Sequence, residues 1–168
     1  AGTKFKVIAG YKGTSDIDTA LERGEVDIVG LSRAAVTSVH GQKYANGDIL
    51  PVLCNPQQLG QVFVNILVNA SQAIIDHGTI TLRTSVRGDD VVVEIEDTGS
   101  GISPENISRI FDPFFTTKVP GKGTGMGLSI SLDIVKKHGG WIEVKSQVGQ
   151  GTNFIVHLPA FRPKGFTL

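Results

Sequence analysis

The chain has little cysteine, no net charge and no long hydrophobic run. Cys54 is the single cysteine among 168 residues, which excludes a disulfide framework or a cysteine-based metal cluster. Basic and acidic residues number 16 each, which disfavours a nucleic-acid or membrane-surface binder that depends on bulk charge. No apolar run approaches the roughly 20 residues that span a bilayer, and residues 1–10 lack the pattern of a signal peptide. We therefore expect a cytoplasmic enzyme or binding domain without a membrane segment.

Hydrophobic residues and glycine are both well represented. A hydrophobic fraction of 40% in 168 residues is sufficient for the core of one globular domain. Many of the 21 glycines fall between Gly99 and Gly151, which indicates loops whose backbone must approach something closely.

The chain is predicted to have two parts that meet near residue 53. Residues 1–53 show a β-α-β-α-β pattern with short links, which favours parallel strands, and we expect this segment to pack into the same domain as the rest. Residues 54–160 are predicted to form the core, and residues 161–168 a frayed tail. The core elements predicted are a long amphipathic helix from Pro56, a hairpin over 79–97, a short helix from 103, a helix over 128–137 and a closing hairpin over 141–158.

Two asparagines interrupt the apolar pattern of the long helix. Asn65 and Asn69 are four residues apart, so both amides lie on one side of the helix. Their carbonyl oxygens are hard ligands of the kind that Mg²⁺ prefers. The simpler interpretation is a pair of asparagines on a half-solvated face, and for the helix alone it is preferred.

A carboxylate and a glycine-rich segment form two further candidates. Asp97 ends a predicted strand and is followed by Gly99 and Gly101; it can accept a hydrogen bond from a ligand amine such as that of adenine. For this segment alone, a simple turn is the preferred interpretation. Residues 121–127 are rich in glycine and enter a helix, an arrangement that binds phosphate. The segment has neither the Walker pattern nor the G-x-G-x-x-G spacing, and the alternative is a mobile glycine loop.

An aromatic loop lies between these candidates. Residues 111–118 place three phenylalanines beside two threonines and Lys118. The loop is interpreted as a lid that swings the lysine onto phosphate, or as a loop held to the core by its aromatic rings, and the two interpretations are compatible.

These segments together resemble a known family. Residues 65–70, 97–101, 111–118 and 123–129 resemble the N, G1, F and G2 boxes of sensor histidine kinases, in the family's order and approximate spacing, and residues 151–154 resemble the closing element. The motif sequences are nearest to those of kinases of the nitrogen-regulation type, and the resemblance covers about residues 51–159. The resemblance implies the ATP-binding α/β (α+β) two-layer sandwich shared by gyrase, Hsp90, histidine kinases and mismatch-repair ATPases. In that fold, helices cover one face of a mixed sheet and the nucleotide lies under a mobile lid.

The resemblance also implies a role for each part of the site. Asn69 would ligate Mg²⁺, with Asn65 supporting the metal or the phosphates. Asp97 would contact adenine, helped through water by Thr152. The other residues that it assigns to ATP binding are Ala73, Gly99, Gly101, Ile102, Thr117, Lys118, Gly123, Thr124, Gly125, Met126, Gly127 and Leu128. Hydrolysing members of the superfamily carry Glu at the position of Asn65, and an amide cannot act as a base, so phosphoryl transfer is favoured over hydrolysis.

No histidine stands in the sequence context of a phosphoacceptor. All four histidines, His40, His77, His138 and His157, are predicted to be structural. No catalytic residue is therefore assigned, and the γ-phosphate is expected to pass to a histidine on a separate phosphotransfer and dimerisation domain, and from there to a response regulator. The alternatives are a slow ATPase of the same superfamily and a scaffold with weak or no nucleotide binding.

Residues 1–53 do not resemble the usual beginning of such a domain. Residues 5–14, 22–27 and 46–50 resemble, less specifically, part of a periplasmic solute-binding protein of the tripartite tricarboxylate transporter type. We hypothesise a recombined or engineered chimera in which this segment completes the fold.

Overall fold

A computed structural model describes residues 52–119 and 123–160. The elements in chain order are helix α1 (Pro56–Ala73), strands β1 (Ile80–Arg87) and β2 (Asp90–Asp97), helices α2 (Pro104–Ile107) and α3 (Gly127–Lys137), and strands β3 (Trp141–Gln147) and β4 (Gly151–Pro159). The predicted β-α-β-α-β segment and the tail lie outside the described residues, apart from residues 52 and 53. Those two were predicted to end a strand and are irregular instead.

Helix α1 begins where its capping residues predict. The Asn55 side chain accepts hydrogen bonds from the backbone N–H groups of Gln57 and Gln58, at 3.0 and 3.2 Å, and Pro56 occupies the first helical position. The buried residues of α1 recur every three or four positions and are Leu59, Val62, Ile66 and Ala70. This stripe faces the sheet, and its polar neighbours extend along the side of the helix.

The described strands form one antiparallel sheet in the order β1-β2-β4-β3. The parallel strands that would make the sheet mixed were predicted in residues 1–53, outside the described part. Because side chains alternate between faces, Asp97 lies on the same face as Val93 and Ile95. The register places Asp97 directly opposite Thr152 of β4, so both polar side chains end the helix-facing surface of the sheet.

Helices α1 and α3 cover that surface and create a two-layer architecture. The central cluster of buried residues is Leu59, Val62, Ile66, Val93, Ile95, Ile110, Ile134, Val135, Phe154, Val156 and Leu158. None of the helices within residues 52–119 and 123–160 is long and apolar enough to cross a membrane.

Two of the histidines make contacts within the described fold. His138 caps α3: one ring nitrogen, Nδ1, lies 2.7 Å from the Ile134 carbonyl, and the other, Nε2, accepts the Asn55 backbone N–H at 3.0 Å. These two contacts require the proton on Nδ1, and they connect the end of α3 to the start of α1. His157 is buried and stacks on Trp141, with ring centroids 4.3 Å apart.

Candidate functional site

A cavity of about 950 Å³ lies between α1, the segment after β2, residues 115–118 and the start of α3. This volume is near the upper end of the roughly 300–1,000 Å³ typical of small-molecule sites. Most of the site residues predicted from the sequence line it: Asn65, Asn69, Ala73, Asp97, Gly101, Ile102, Thr117, Lys118, Gly123, Thr124, Gly125, Gly127, Leu128 and Thr152. Gly99 and Met126 are not among the lining residues. The structure therefore brings together segments that are far apart in the sequence.

Asp97 supplies a buried carboxylate at one end of the cavity. Its side chain is only 3% exposed, and Oδ1 accepts the backbone N–H of Gly99 at 2.8 Å. Burial raises the pKa of the Asp97 carboxyl above its ordinary value, and hydrogen bonds from the backbone N–H groups of Gly99 and Thr152 oppose part of this rise. The group is a hydrogen-bond acceptor in a poorly solvated place, where a donor on a ligand would be bound strongly.

The two glycines after Asp97 are required by the chain's own packing. A Cβ at Gly99 would lie 2.7 Å from the backbone of Ala73, the last residue of α1. Gly101 has φ of 71°, and a Cβ there would lie 2.1 Å from the Gln147 carbonyl oxygen. The resemblance assigned both glycines to ATP binding. The close approach that the structure contains is between backbone segments, and of the two only Gly101 also lines the cavity.

On the side of the cavity that helix α1 forms, a lysine ammonium contacts the helix. Lys118 Nζ donates to Asn69 Oδ1 at 2.9 Å and to Gln72 Oε1. The Asn69 oxygen therefore already faces a cation, as a metal ligand must. Gln72 was not predicted as a site residue, although it follows Asn69 by three positions and so shares its side of the helix; that spacing was the available signal.

Asn65 has a different environment from Asn69. Its Nδ2 donates to the Gly127 carbonyl at 3.0 Å and to Ser131 Oγ at 3.2 Å. The amide nitrogen thus connects α1 to the first turn of α3, and only the carbonyl oxygen is left for a ligand. Asn65 therefore keeps an oxygen for either role that the resemblance implied, support of the metal or of the phosphates.

The start of α3 presents backbone donors to the cavity. Its N-cap residue, Met126, makes no side-chain hydrogen bond to the helix, so the first N–H groups keep their capacity to bind an anion. Gly127 and Leu128 of this turn line the cavity together with Lys118. These groups therefore favour a negatively charged ligand.

The aromatic loop is held to the core by two of its three phenylalanines. Phe111 and Phe115 pack against the hydrophobic core, and the Arg109 guanidinium lies 4.5 Å from the centre of the Phe115 ring. Phe114 instead is 74% exposed and has φ of 67°. A Cβ at Gly125 would lie 2.4 Å from the Phe114 carbonyl carbon, so the backbone of the glycine-rich segment is in contact with that of the aromatic loop.

A divalent metal would have to bind here through amide oxygens. Within residues 52–119 and 123–160, no cluster of three or more His, Cys, Asp or Glu side chains could hold a metal ion. Asn69 Oδ1, oriented towards an ammonium group, fits a single Mg²⁺ ligand, and anionic oxygens of a bound ligand would supply the rest.

Comparison with known families and curated proteins gives a consistent result. The model of the family described as "Histidine kinase-, DNA gyrase B-, and HSP90-like ATPase" matches residues 54–162. Sensor kinase CckA of Brucella abortus is 45% identical over 127 residues, 67% of this chain and 13% of its own length. Sensor histidine kinase ZraS of Escherichia coli K12 is 42% identical over 118 residues, 70% of this chain and 25% of its own length. The chain thus spans a quarter or less of these relatives.

Solved structures support the same fold. The catalytic domain of histidine kinase ThkA, in a nucleotide-free form, aligns with a TM-score of 0.56 and 34% identity over 63% of this chain and 68% of its own. The mycobacterial sensor histidine kinase MprB aligns with a TM-score of 0.60 and 26% identity, over 89% of this chain and 95% of its own. These likenesses confirm the predicted two-layer α/β sandwich. Nothing in the comparisons supports the transporter resemblance or a chimeric origin for residues 1–53.

Proposed function

Since this chain belongs to the family of histidine kinase-, DNA gyrase B- and HSP90-like ATPases, we propose that its cavity binds Mg-ATP and presents the γ-phosphate to a histidine on a separate domain. The observation that carries the proposal is the chemistry of the groups that line the cavity. They include a buried carboxylate, Asp97, and, apart from it, the Asn69 amide, the Lys118 ammonium and the uncapped start of α3.

The proposed orientation follows from charge. The amino group of adenine is a donor and suits the Asp97 carboxylate and the Thr152 hydroxyl. The triphosphate is an anion and suits the ammonium of Lys118 and the first N–H groups of α3. Lys118 would exchange its contact with Asn69 for one with phosphate, which frees the Asn69 oxygen for Mg²⁺. When bound, the metal would neutralise charge on the phosphate oxygens.

Transfer to histidine is favoured over hydrolysis by the residues near the phosphate end. Asp97 is the only carboxylate among the described residues that line the cavity, and in the proposed orientation it contacts the base. Asn65, which occupies the position of the base in hydrolysing members, carries an amide that cannot take a proton from water. In transfer, the lone pair of an acceptor imidazole nitrogen would form the P–N bond while the bond from the γ-phosphorus to its bridging oxygen breaks, and ADP would leave.

The acceptor is proposed to lie outside the described residues. His77, His138 and His157 do not line the cavity; His138 uses both ring nitrogens within the fold, and His157 is buried. The named relatives are sensor kinases, which supports a phosphotransfer and dimerisation domain as partner, followed by a response regulator.

Calorimetric titration of the chain with ATP, with and without Mg²⁺, tests this function. We expect binding that Mg²⁺ strengthens and that Asp97→Asn weakens by about tenfold or more, the worth of a charge-assisted hydrogen bond. Asp90→Asn is the matched control, because Asp90 begins the strand that Asp97 ends and does not line the cavity. Labelled γ-phosphate should then appear on an added phosphoacceptor-histidine domain. Repeated turnover without an acceptor would indicate a slow ATPase, and no binding at all would indicate a scaffold.

A further inference from the structure

We propose that Ser146 is a positioning residue that sets the hydrogen-bonding direction of the Thr152 hydroxyl, and thereby the preference of the cavity for a 6-amino over a 6-oxo purine. The inference rests on the proposed function, because it concerns how the base end of the same cavity selects its ligand. Ser146 itself is not among the residues that line the cavity, so any effect on the ligand acts through a neighbour.

Three polar side chains form a row across the end of the helix-facing surface of the sheet. Asp97 of β2 is paired with Thr152 of β4, and Thr152 is paired with Ser146 of β3. Asp97 and Ser146 each lie two positions after a residue that packs in the core, and Thr152 lies two positions before one. All three side chains therefore lie on the same face of the sheet as those core residues. We call Asp97, Thr152 and Ser146 the polar row. A surface that is otherwise apolar therefore ends in three side chains whose hydrogen bonds must be satisfied within the fold or by a ligand.

The hydroxyl of Ser146 has three polar neighbours and only one proton. The Ile102 backbone N–H is a donor, 2.8 Å away, so Ser146 Oγ accepts from it. The Gly151 carbonyl oxygen is an acceptor only, 2.9 Å away, so the serine proton is directed to it. The third neighbour, Thr152 Oγ1, is 3.0 Å away. Because the serine proton is already used, Thr152 must donate in this contact and Ser146 must accept with its second lone pair.

This arrangement leaves Thr152 as an acceptor towards the cavity. Its single proton points to Ser146, so only lone pairs of Oγ1 remain for a ligand. The neighbouring Asp97 carboxylate is also an acceptor, and its known donors are the backbone N–H groups of Gly99 and Thr152. Two acceptors side by side fit an exocyclic amine, directly or through water. They repel the carbonyl oxygen of a 6-oxo purine, for which no donor would be available.

Removing the serine hydroxyl would release the threonine proton. In Ser146→Ala, the Thr152 O–H loses its acceptor and can rotate to face the cavity as a donor. The base end would then accept a carbonyl oxygen better than in the wild type, although the Asp97 carboxylate would still favour an amine. Ser146 also holds the Ile102 backbone, and a loss of that contact would weaken every ligand alike. The ratio of two affinities therefore separates the proposed effect from a general disturbance of the site.

The experiment measures the dissociation constants of ATP and inosine triphosphate for the full chain. These ligands differ at the 6-position and carry the same triphosphate. The quantity of interest is the dissociation constant of inosine triphosphate divided by that of ATP. For Ser146→Ala we expect this ratio to fall by about 2- to 10-fold, which corresponds to one neutral hydrogen bond. Ser146→Thr keeps the hydroxyl and should restore the ratio. Ser85→Ala, on an exposed part of β1, is the matched control and should leave it unchanged.

A second variant tests whether Ser146 acts through Thr152. Thr152→Val removes the hydroxyl at nearly constant shape, and Ser146→Ala added to it should change the ratio no further. An unchanged ratio in Ser146→Ala, or independent effects of the two substitutions, would overturn the inference while wild-type ATP binding stayed intact. A wild-type chain that bound neither nucleotide would overturn the proposed function and this inference with it.

Discussion

Three glycine-to-alanine substitutions separate the two reasons why glycine is needed beside Asp97. Gly60 lies within α1, where an added Cβ meets nothing within 4 Å. Gly149 has φ of 76° and equally open surroundings. Gly101 has φ of 71°, and its Cβ would lie 2.1 Å from the Gln147 carbonyl oxygen. Gly60→Ala therefore introduces neither cost, Gly149→Ala places a side chain on a left-handed backbone, and Gly101→Ala adds a steric overlap to that.

The expected changes in the free energy of unfolding follow in order. Gly60→Ala should stabilise by about 0.5–1 kcal/mol, since alanine favours a helix interior. Gly149→Ala should destabilise by about 1 kcal/mol, because an L side chain disfavours that backbone conformation. Gly101→Ala should destabilise by about 2–4 kcal/mol, because a further 1–3 kcal/mol is typical of forced overlap in a packed region.

Urea denaturation of the three variants and the wild type measures these differences. Gly101→Ala should also weaken ATP binding, since the overlap pushes Ile102 and the loop after Asp97 away from the turn between β3 and β4. That loop is otherwise held by the bond from the Gly149 N–H to the Ser100 carbonyl, at 2.8 Å. If Gly101→Ala were no more destabilising than Gly149→Ala, the argument from close backbone contact would be refuted.

Two further predictions concern the charged groups of the cavity. Because burial raises the pKa of Asp97, the carboxylate should become protonated, and ATP binding should weaken, at a pH above the ordinary range of an aspartate. Calorimetry at several pH values measures this transition. Asp97→Asn should lack the transition, and Asp90→Asn should keep it. The sign for stability is opposite: a raised folded-state pKa stabilises the fold most when Asp97 is protonated, and this contribution is lost as the pH rises through that pKa. Lys118→Met removes the contacts with Asn69 and Gln72, so it should speed proteolysis within residues 111–119 and weaken ATP binding by about tenfold or more. Lys145→Met, on an exposed position of β3, should do neither, and equal effects of the two lysine variants would contradict the assignment of Lys118.

Much of the fold could be predicted because its signals are local. The cap at Asn55, the apolar stripe of α1 and the alternation in each hairpin depend on residues within one or two turns of each other. The family and the fold class, predicted from four short motifs in order, are confirmed by the comparisons. The β-α-β-α-β segment, the tail and the domain boundaries remain predictions.

The parts of the site that sequence reasoning missed depend on contacts between distant residues. Lys118 reaches Gln72 across 46 positions, and Ile102 reaches Ser146 across 44. The tight contact of Gly99 with Ala73 likewise exists only after α1 has packed on the sheet. Ser146 had one local signal, namely its alternation with the core residue Val144, but nothing local shows that Thr152 is its partner.

One ligand is proposed to span the cavity from Asp97 to the start of α3. A crystal structure of the chain with Mg²⁺ and a non-hydrolysable ATP analogue would show whether it does. We expect the purine amine within hydrogen-bonding distance of Asp97, and the phosphates beside Lys118 and the first N–H groups of α3 with the metal on Asn69. A base bound at the α3 end, or a nucleotide bound outside this cavity, would contradict it.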